Sequence, residues 1–265
     1  MAEMVRPADL PDFAEPPLNE VVLGVQFAPA QGYSQIRAGE VWSLYKDRFP
    51  QVEEHPPLPP TFETFGRVQA AQFGFGIVTG ATHDRFWFLT PSKEELIQFQ
   101  QDRLMHNWRK VGDETNPYPR FEAMIRDFEQ ELGGLEDYFT TLAPQTILIN
   151  QCEVTYVNHI PFDEPGRWLR FIKFETSPID DFAMTFRRTL HREREPVGRL
   201  TCETAVVIAA GNKLMLRLAL TARSAPARPD MHAALELLRE NRKIVVDAFT
   251  EFTTEAAHQV WKRIQ

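Results

Sequence analysis

LTCETAVVIAAGNKLMLRLALTAR, residues 200–223, decides the architecture. Two apolar, β-rich runs, Leu200 to Ala210 and Lys213 to Arg223, flank Gly211-Asn212. Such runs around a two-residue glycine loop read as an antiparallel hairpin. A third run, Phe182 to Leu190, precedes the pair, and a helical pattern follows it. Asp230 is a good N-cap residue. Beyond it Met231, Leu235, Leu238, Val245, Phe249, Phe252, Ala256 and Val260 recur every three or four positions toward Ile264. That spacing predicts one helix, roughly 50 Å long at 1.5 Å per residue. The stripe suits a helix laid across a sheet. A homodimer seam is the alternative, opposed by Arg242 inside the stripe and by imperfect heptads.

The first part of the chain has the same order of elements. Val21 to Phe27 reads as a buried strand, Tyr33 to Phe49 as a helix stopped by Pro50, and Arg85 to Leu89 as part of a hairpin leading into a long strand, Glu95 to Trp108, with a break near Gln101 as the alternative. Phe121, Ile125, Phe128, Leu132 and Leu135 then mark a helix to Tyr138, with Gly133-Gly134 weakening its last turn. Ile147 to Ile160 opens the second half as a long strand. The predicted fold is α+β: an antiparallel sheet with helices on one face, built from two similar halves, 1–143 and 144–265, in one compact unit.

Ten of the twenty prolines lie before Thr61. His55-Pro56-Pro57-Leu58-Pro59-Pro60 is excluded from helix and reads as a polyproline II connector, with a PxxP ligand as the alternative. Charge and composition narrow the function classes. With 37 acidic and 29 basic residues the formal charge is -8, a field that disfavours nucleic acid. No apolar run reaches the length of a membrane span, and the acidic, proline-rich start lacks a signal-peptide pattern. Cys152 and Cys202 have no paired spacing and read as apolar fillers in strands, which points to a cytoplasmic protein. No nucleotide loop, nucleophile elbow or metal-ligand motif is present, so no cofactor is expected. Among His83, Asp84, Asp102, His106, Glu153, His159 and His191, a strand would hold Asp102 and His106 roughly 13 Å apart, too far for one ion. The run Arg187 to Glu195 reads as a self-neutralised hairpin tip turned by Pro196 and Gly198, with a phosphate or acidic protein as the livelier alternative.

Two polar strands stand out. Read as one strand, Leu96 to Lys110 sets Gln98, Gln100, Asp102, His106 and Trp108 against Ile97, Phe99, Arg103, Met105, Asn107 and Arg109. In the second, Gln151, Glu153, Thr155, Val157 and His159 oppose Asn150, Cys152, Val154, Tyr156 and Asn158. Paired, these strands make either the solvent side of a half-buried sheet or a recognition surface. The candidate binding residues are Gln98, Asp102, His106, Asn107, Trp108 and Arg109, facing Asn150, Gln151, Glu153, Tyr156 and Asn158. The expected partner is a protein or a small polar ligand. The alternative is an enzyme using Glu153 with His106 or His159 as acid and base.

Four stretches, PLNEVVLGVQF from Pro17, FPQVEEHPPLPP from Phe49, QQDRLMHNWRK from Gln100 and NQCEVTYVNHI from Asn150, resemble a sporadically distributed, uncharacterised prokaryotic protein family. The resemblance implies a bacterial or archaeal cytoplasmic protein and no particular activity. It is densest over the two polar strands.

Overall fold

The computed structural model describes residues 6–65, 84–162, 165–173 and 181–265. In chain order the elements are β1 (Leu18–Phe27), α1 (Ala38–Tyr45), β2 (Gln51–His55), β3 (Arg85–Leu89), β4 (Glu95–Gln100), β5 (Arg103–Arg109) and α2 (Phe121–Leu142). Then follow β6 (Ile149–Pro161), α3 (Pro165–Trp168), β7 (Ala183–Arg192), β8 (Glu195–Ala209), β9 (Lys213–Ser224), α4 (Met231–Phe252) and α5 (Glu255–Val260). All nine strands join one antiparallel sheet, ordered β2-β3-β4-β5-β1-β6-β9-β8-β7. In each half the first strand pairs with the last, β1 with β5 and β6 with β9, and β1 pairs with β6 at the centre. The α+β class is therefore the one the strand runs imply, with both halves in a single sheet.

Alternation along the central strands makes two unlike faces. Val21, Leu23, Val25 and Phe27 of β1 share one face with Leu104 of β5, Cys152 and Val154 of β6, and Leu218, Leu220 and Ala222 of β9, all buried. The helices α1, α2 and α4 cover this face and complete one hydrophobic core. In α4 the buried stripe Leu235, Leu238, Val245, Phe249 and Phe252 is taken up by β6 and β9 of the same chain. The apolar surface a dimer seam would need is therefore already covered.

Several local expectations are corrected. The final helix is not continuous: α4 ends at Phe252, where Thr253 Oγ1 donates to Phe249 O at 2.6 Å, and Thr254 caps α5 by accepting from Ala257 N at 3.1 Å. Two adjacent threonines offer the backbone an alternative to the helix, and that competition interrupts it. Asp230 does cap α4, its Oδ1 accepting from Ala233 N at 2.8 Å. Conversely α2 runs through Gly133-Gly134 to Leu142, because its apolar face from Phe121 to Phe139 stays buried and outweighs the glycine cost. The first helix is shorter than its pattern, with α1 beginning only at Ala38. The β8–β9 loop has three residues, since Ala209 pairs with Lys213. The β7–β8 tip turns at Glu193-Arg194, both at positive φ, while Pro196 lies within β8. Two cations on β7 reach back to α4: Arg188 pairs with Glu251 and Arg192 with Glu240. No helix among the described residues is long and apolar enough to cross a membrane.

Candidate functional site

Leu96 to Lys110 is a hairpin, not one strand. The chain turns at Gln101-Asp102, and Gln100 pairs with Arg103, Gln98 with Met105, and Ile97 with His106. Cross-strand partners share a face, so a two-residue turn reverses the odd–even pattern across it. Gln98 and Gln100 therefore lie with Arg103, Met105, Asn107 and Arg109 on the face away from the helices. His106 and Trp108 lie on the helix face, 0% and 1% exposed.

Four of the eleven nominated residues thus lie on the helix face: His106, Trp108 and Asn158 are buried and Tyr156 is half-buried. His106 Nδ1 contacts Glu131 of α2 at 2.8 Å, and its Nε2 lies 3.5 Å from Glu95. Trp108 packs on Tyr118, their ring centroids 5.1 Å apart. The Tyr156 hydroxyl meets that of Tyr118 at 3.2 Å, and buried Asn158 donates to Leu218 O at 3.4 Å. Tyr156 and Asn158 belong to the parity opposite Gln151 and Glu153, so one ligand on one sheet face does not reach both sets. Asp102 sits at the hairpin turn, accepting from Gln100 Nε2 at 3.0 Å and from Arg103 Nε at 3.1 Å. Asn150 joins the polar face through a bulge in β6 and accepts from Gln26 Nε2 at 3.0 Å.

The polar face is a connected network. Arg85 and Trp87 Nε1 donate to Gln98 Oε1 at 2.6 and 3.0 Å, Gln98 donates to Asn107 at 2.9 Å, and Asn107 donates to Glu20 at 2.7 Å. Arg109 lies over the Trp87 ring at 5.5 Å, with the His55 ring 4.0 Å away on that tryptophan. On the other half, Thr155 bonds Thr221 at 2.8 Å, and Glu153 accepts from Arg223 Nε at 2.7 Å. Gln151 Oε1 is buried and has no hydrogen-bond partner.

Residues 56–65 run across this face. Within Pro56-Pro57-Leu58-Pro59-Pro60 the prolines have no N–H, so Leu58 carries the only main-chain donor before Thr61. A glutamine takes each of these two donors. Leu58 N donates to Gln100 Oε1 at 2.8 Å while Gln100 Nε2 donates back to Leu58 O at 2.9 Å. Thr61 N donates to Gln26 Oε1 at 2.8 Å. Between them Arg103 donates to Pro59 O at 3.0 Å. The segment then reaches β8 and β9: Glu63 accepts from Arg199 Nε at 2.8 Å and from Arg223 at 3.3 Å, and Arg199 donates to Thr64 O at 2.6 Å. From β4 to β9 is four strand spacings, about 19 Å, of which the Gln100, Arg199 and Arg223 side chains cover part. Pro56, Pro57, Pro59 and Pro60 keep this run of the segment, a strap across the face, out of helix. Pro59, Pro60 and Phe62 face solvent, Phe62 being 56% exposed, while Pro57 and Leu58 are half-buried. The sheet holds the strap's main chain and one carboxylate.

Neither the connector nor the PxxP reading anticipated this contact. Gln26, Arg103, Glu63, Arg199 and Arg223 were missed as site residues because their partners lie far away in sequence. The available signal was the polar pair Gln100 and Arg103, which a break near Gln101 brings to one sheet face, beyond a proline run that needs partners for its few free main-chain groups.

Among the described residues, the cleft on this face is small. The cleft between strap and sheet, lined by Gly24, Thr61, Met105, Gln151, Glu153 and Arg223, measures about 30 Å³, room for a water. A larger cavity of about 280 Å³ lies on the helix side between Leu10, Phe121, Ile125 and Arg242, and contains none of the nominated residues. The acid–base pairings also separate: Glu153 and His106 occupy opposite faces, and His159 is six residues along β6 from Glu153, roughly 20 Å away. His83 lies outside the described residues; among those described, no cluster of His, Cys, Asp and Glu has metal-holding geometry. Burial pushes the Cys152 and Cys202 thiols up to about 12, which removes them as nucleophiles at neutral pH. No protein-family model, curated protein or solved structure matches the chain.

Proposed function

We propose that this chain is a non-catalytic binding module whose polar sheet face recognises an extended polypeptide main chain. One observation carries the reading. The two main-chain donors within residues 56–61 of the strap, Leu58 N and Thr61 N, are each met by a glutamine amide from the sheet, and Gln100 matches both polar groups of Leu58. A side-chain amide that pairs with a residue's N–H and C=O reproduces what a neighbouring strand would offer, here across the face of the sheet instead of along its edge. The water-sized cleft favours a polypeptide over a small polar ligand. Two unpaired, buried thiols suit the reducing cytoplasm.

The test replaces residues 57–64 by a glycine–serine linker of equal length and titrates the chain with a labelled peptide of residues 56–65. Saturable anisotropy change is expected, and Gln100→Ala or Arg103→Ala on the linker-bearing chain is expected to weaken it at least tenfold. Absence of binding to the linker-bearing chain, with its melting transition intact, would contradict the reading.

A further inference from the structure

Resting on that reading, we infer that the strap is a resident occupant, and that the partner which displaces it is an extended, proline-containing segment with a carboxylate five residues beyond the residue clamped by Gln100. The inference follows from how the strap is held. Its contacts divide into a main-chain part over Leu58, Pro59 and Thr61 and a charged part at Glu63. Of its apolar side chains Pro57 and Leu58 are half-buried and Phe65 lies under Arg199, whereas Phe62, Pro59 and Pro60 are exposed. The face therefore reads extension, register and one negative charge, and tolerates wide variation at the exposed side chains.

The charged part supplies the discrimination. Arg199 and Arg223 converge on Glu63, whose side chain is only 12% exposed, while Arg223 also holds Glu153. Without Glu63 the two guanidiniums would share a single carboxylate, a poorly compensated arrangement at a half-buried site. A competitor lacking an acid at this position would leave that imbalance behind. Proline serves the same end differently: a segment already extended loses less conformational entropy on docking. A neutral or helical partner fits neither requirement.

Covalent attachment gives the strap an effective concentration of roughly millimolar order. Against a free peptide binding the bare face at about 10–100 μM, this occupancy weakens apparent affinity by roughly 10–100-fold in the intact chain. A physiological partner thus needs either a tighter match or a second attachment point. The strap makes the surface selective by competition as well as by contact.

The experiment places one substitution in both competitors. Glu63→Gln in the intact chain weakens the strap and is expected to tighten binding of the wild-type 56–65 peptide about 5–10-fold. The same change made in the peptide is expected to weaken its binding to the linker-bearing chain by a similar factor. Opposite signs support displacement. If the peptide binds the linker-bearing chain but Glu63→Gln leaves its affinity for the intact chain unchanged, the strap is a fixed structural element and this inference is overturned while the binding reading stands. If the substituted peptide binds as well as the original, the carboxylate requirement is overturned. No binding to the linker-bearing chain overturns the underlying reading itself.

Discussion

Glu131→Gln is expected to lower the stability of the fold by about 3 kcal/mol at neutral pH, and the loss is expected to shrink above pH 9. The reason lies beneath the helix face. His106 is fully buried, and burial alone would depress its pKa; the adjacent Glu131 carboxylate, with Glu95, overcomes this and pushes it up to about 9. Its ordinary value is 6.5, so the folded state holds the proton more tightly than the unfolded chain does. The resulting stabilisation is fully present below about pH 6.5 and is lost as pH rises through about 9. The rise from 6.5 to about 9 corresponds to roughly 3 kcal/mol. Arg48 completes the cluster, bonding Asp127 at 2.9 Å and also pairing with Glu95. Removing the Glu131 charge leaves the buried imidazolium with Glu95 alone at 3.5 Å, so His106 becomes neutral and the pH dependence disappears. Urea midpoints for both proteins from pH 6 to 10 measure this directly. Curves that stay parallel over the whole range would refute it.

Gly198→Val is expected to cost about 3 kcal/mol or more, the second large effect. Gly198 pairs with Ser224 in the β8–β9 ladder, and a Cβ there would stand 2.5 Å from both Arg223 O and Ser224 Cβ. The first of these atoms is backbone, so relief requires the strands to part. The neighbouring Arg223 guanidinium would move with its strand, and the grip on Glu63 would loosen. Gly198→Ala and Gly24→Ala, which add the same single Cβ, make the matched pair. At Gly24 that Cβ would meet the flexible Met105 side chain at 3.0 Å, and a cost well below that of Gly198→Ala is expected. Thermal melts of the two variants distinguish them; equal destabilisation would show that the close approach at Gly198 is not the cause.

The sheet was legible in the sequence because its strands carry strong period-two runs and because Asp230 announces the helix after them. The faces were less so. Alternation assigns sides only while the strand continues; a break near Gln101 was readable as an alternative, but Gln101-Asp102 contains no glycine or proline to fix it as the turn that moves His106 and Trp108 into the core. The double threonine at Thr253-Thr254 was equally silent within an apolar stripe that spans it. Of the site, the polar character of Gln98, Asn107, Gln151 and Glu153 was readable. The strap that crosses this face was not, since Gln26, Gln100 and Arg103 meet it through contacts of 35 to 44 residues' separation. Local patterns name which groups need partners. The tertiary fold decides which partners they receive.

Amide hydrogen exchange at Leu58 and Thr61 in the intact chain reads the glutamine clamps themselves. Both N–H groups lie in a segment without regular structure, and their protection depends on two side-chain oxygens. The account requires slow exchange at both, lost at Leu58 in Gln100→Ala and at Thr61 in Gln26→Ala, with the amides of β1 still protected. Exchange of Leu58 and Thr61 at the free-peptide rate in the intact chain would contradict it.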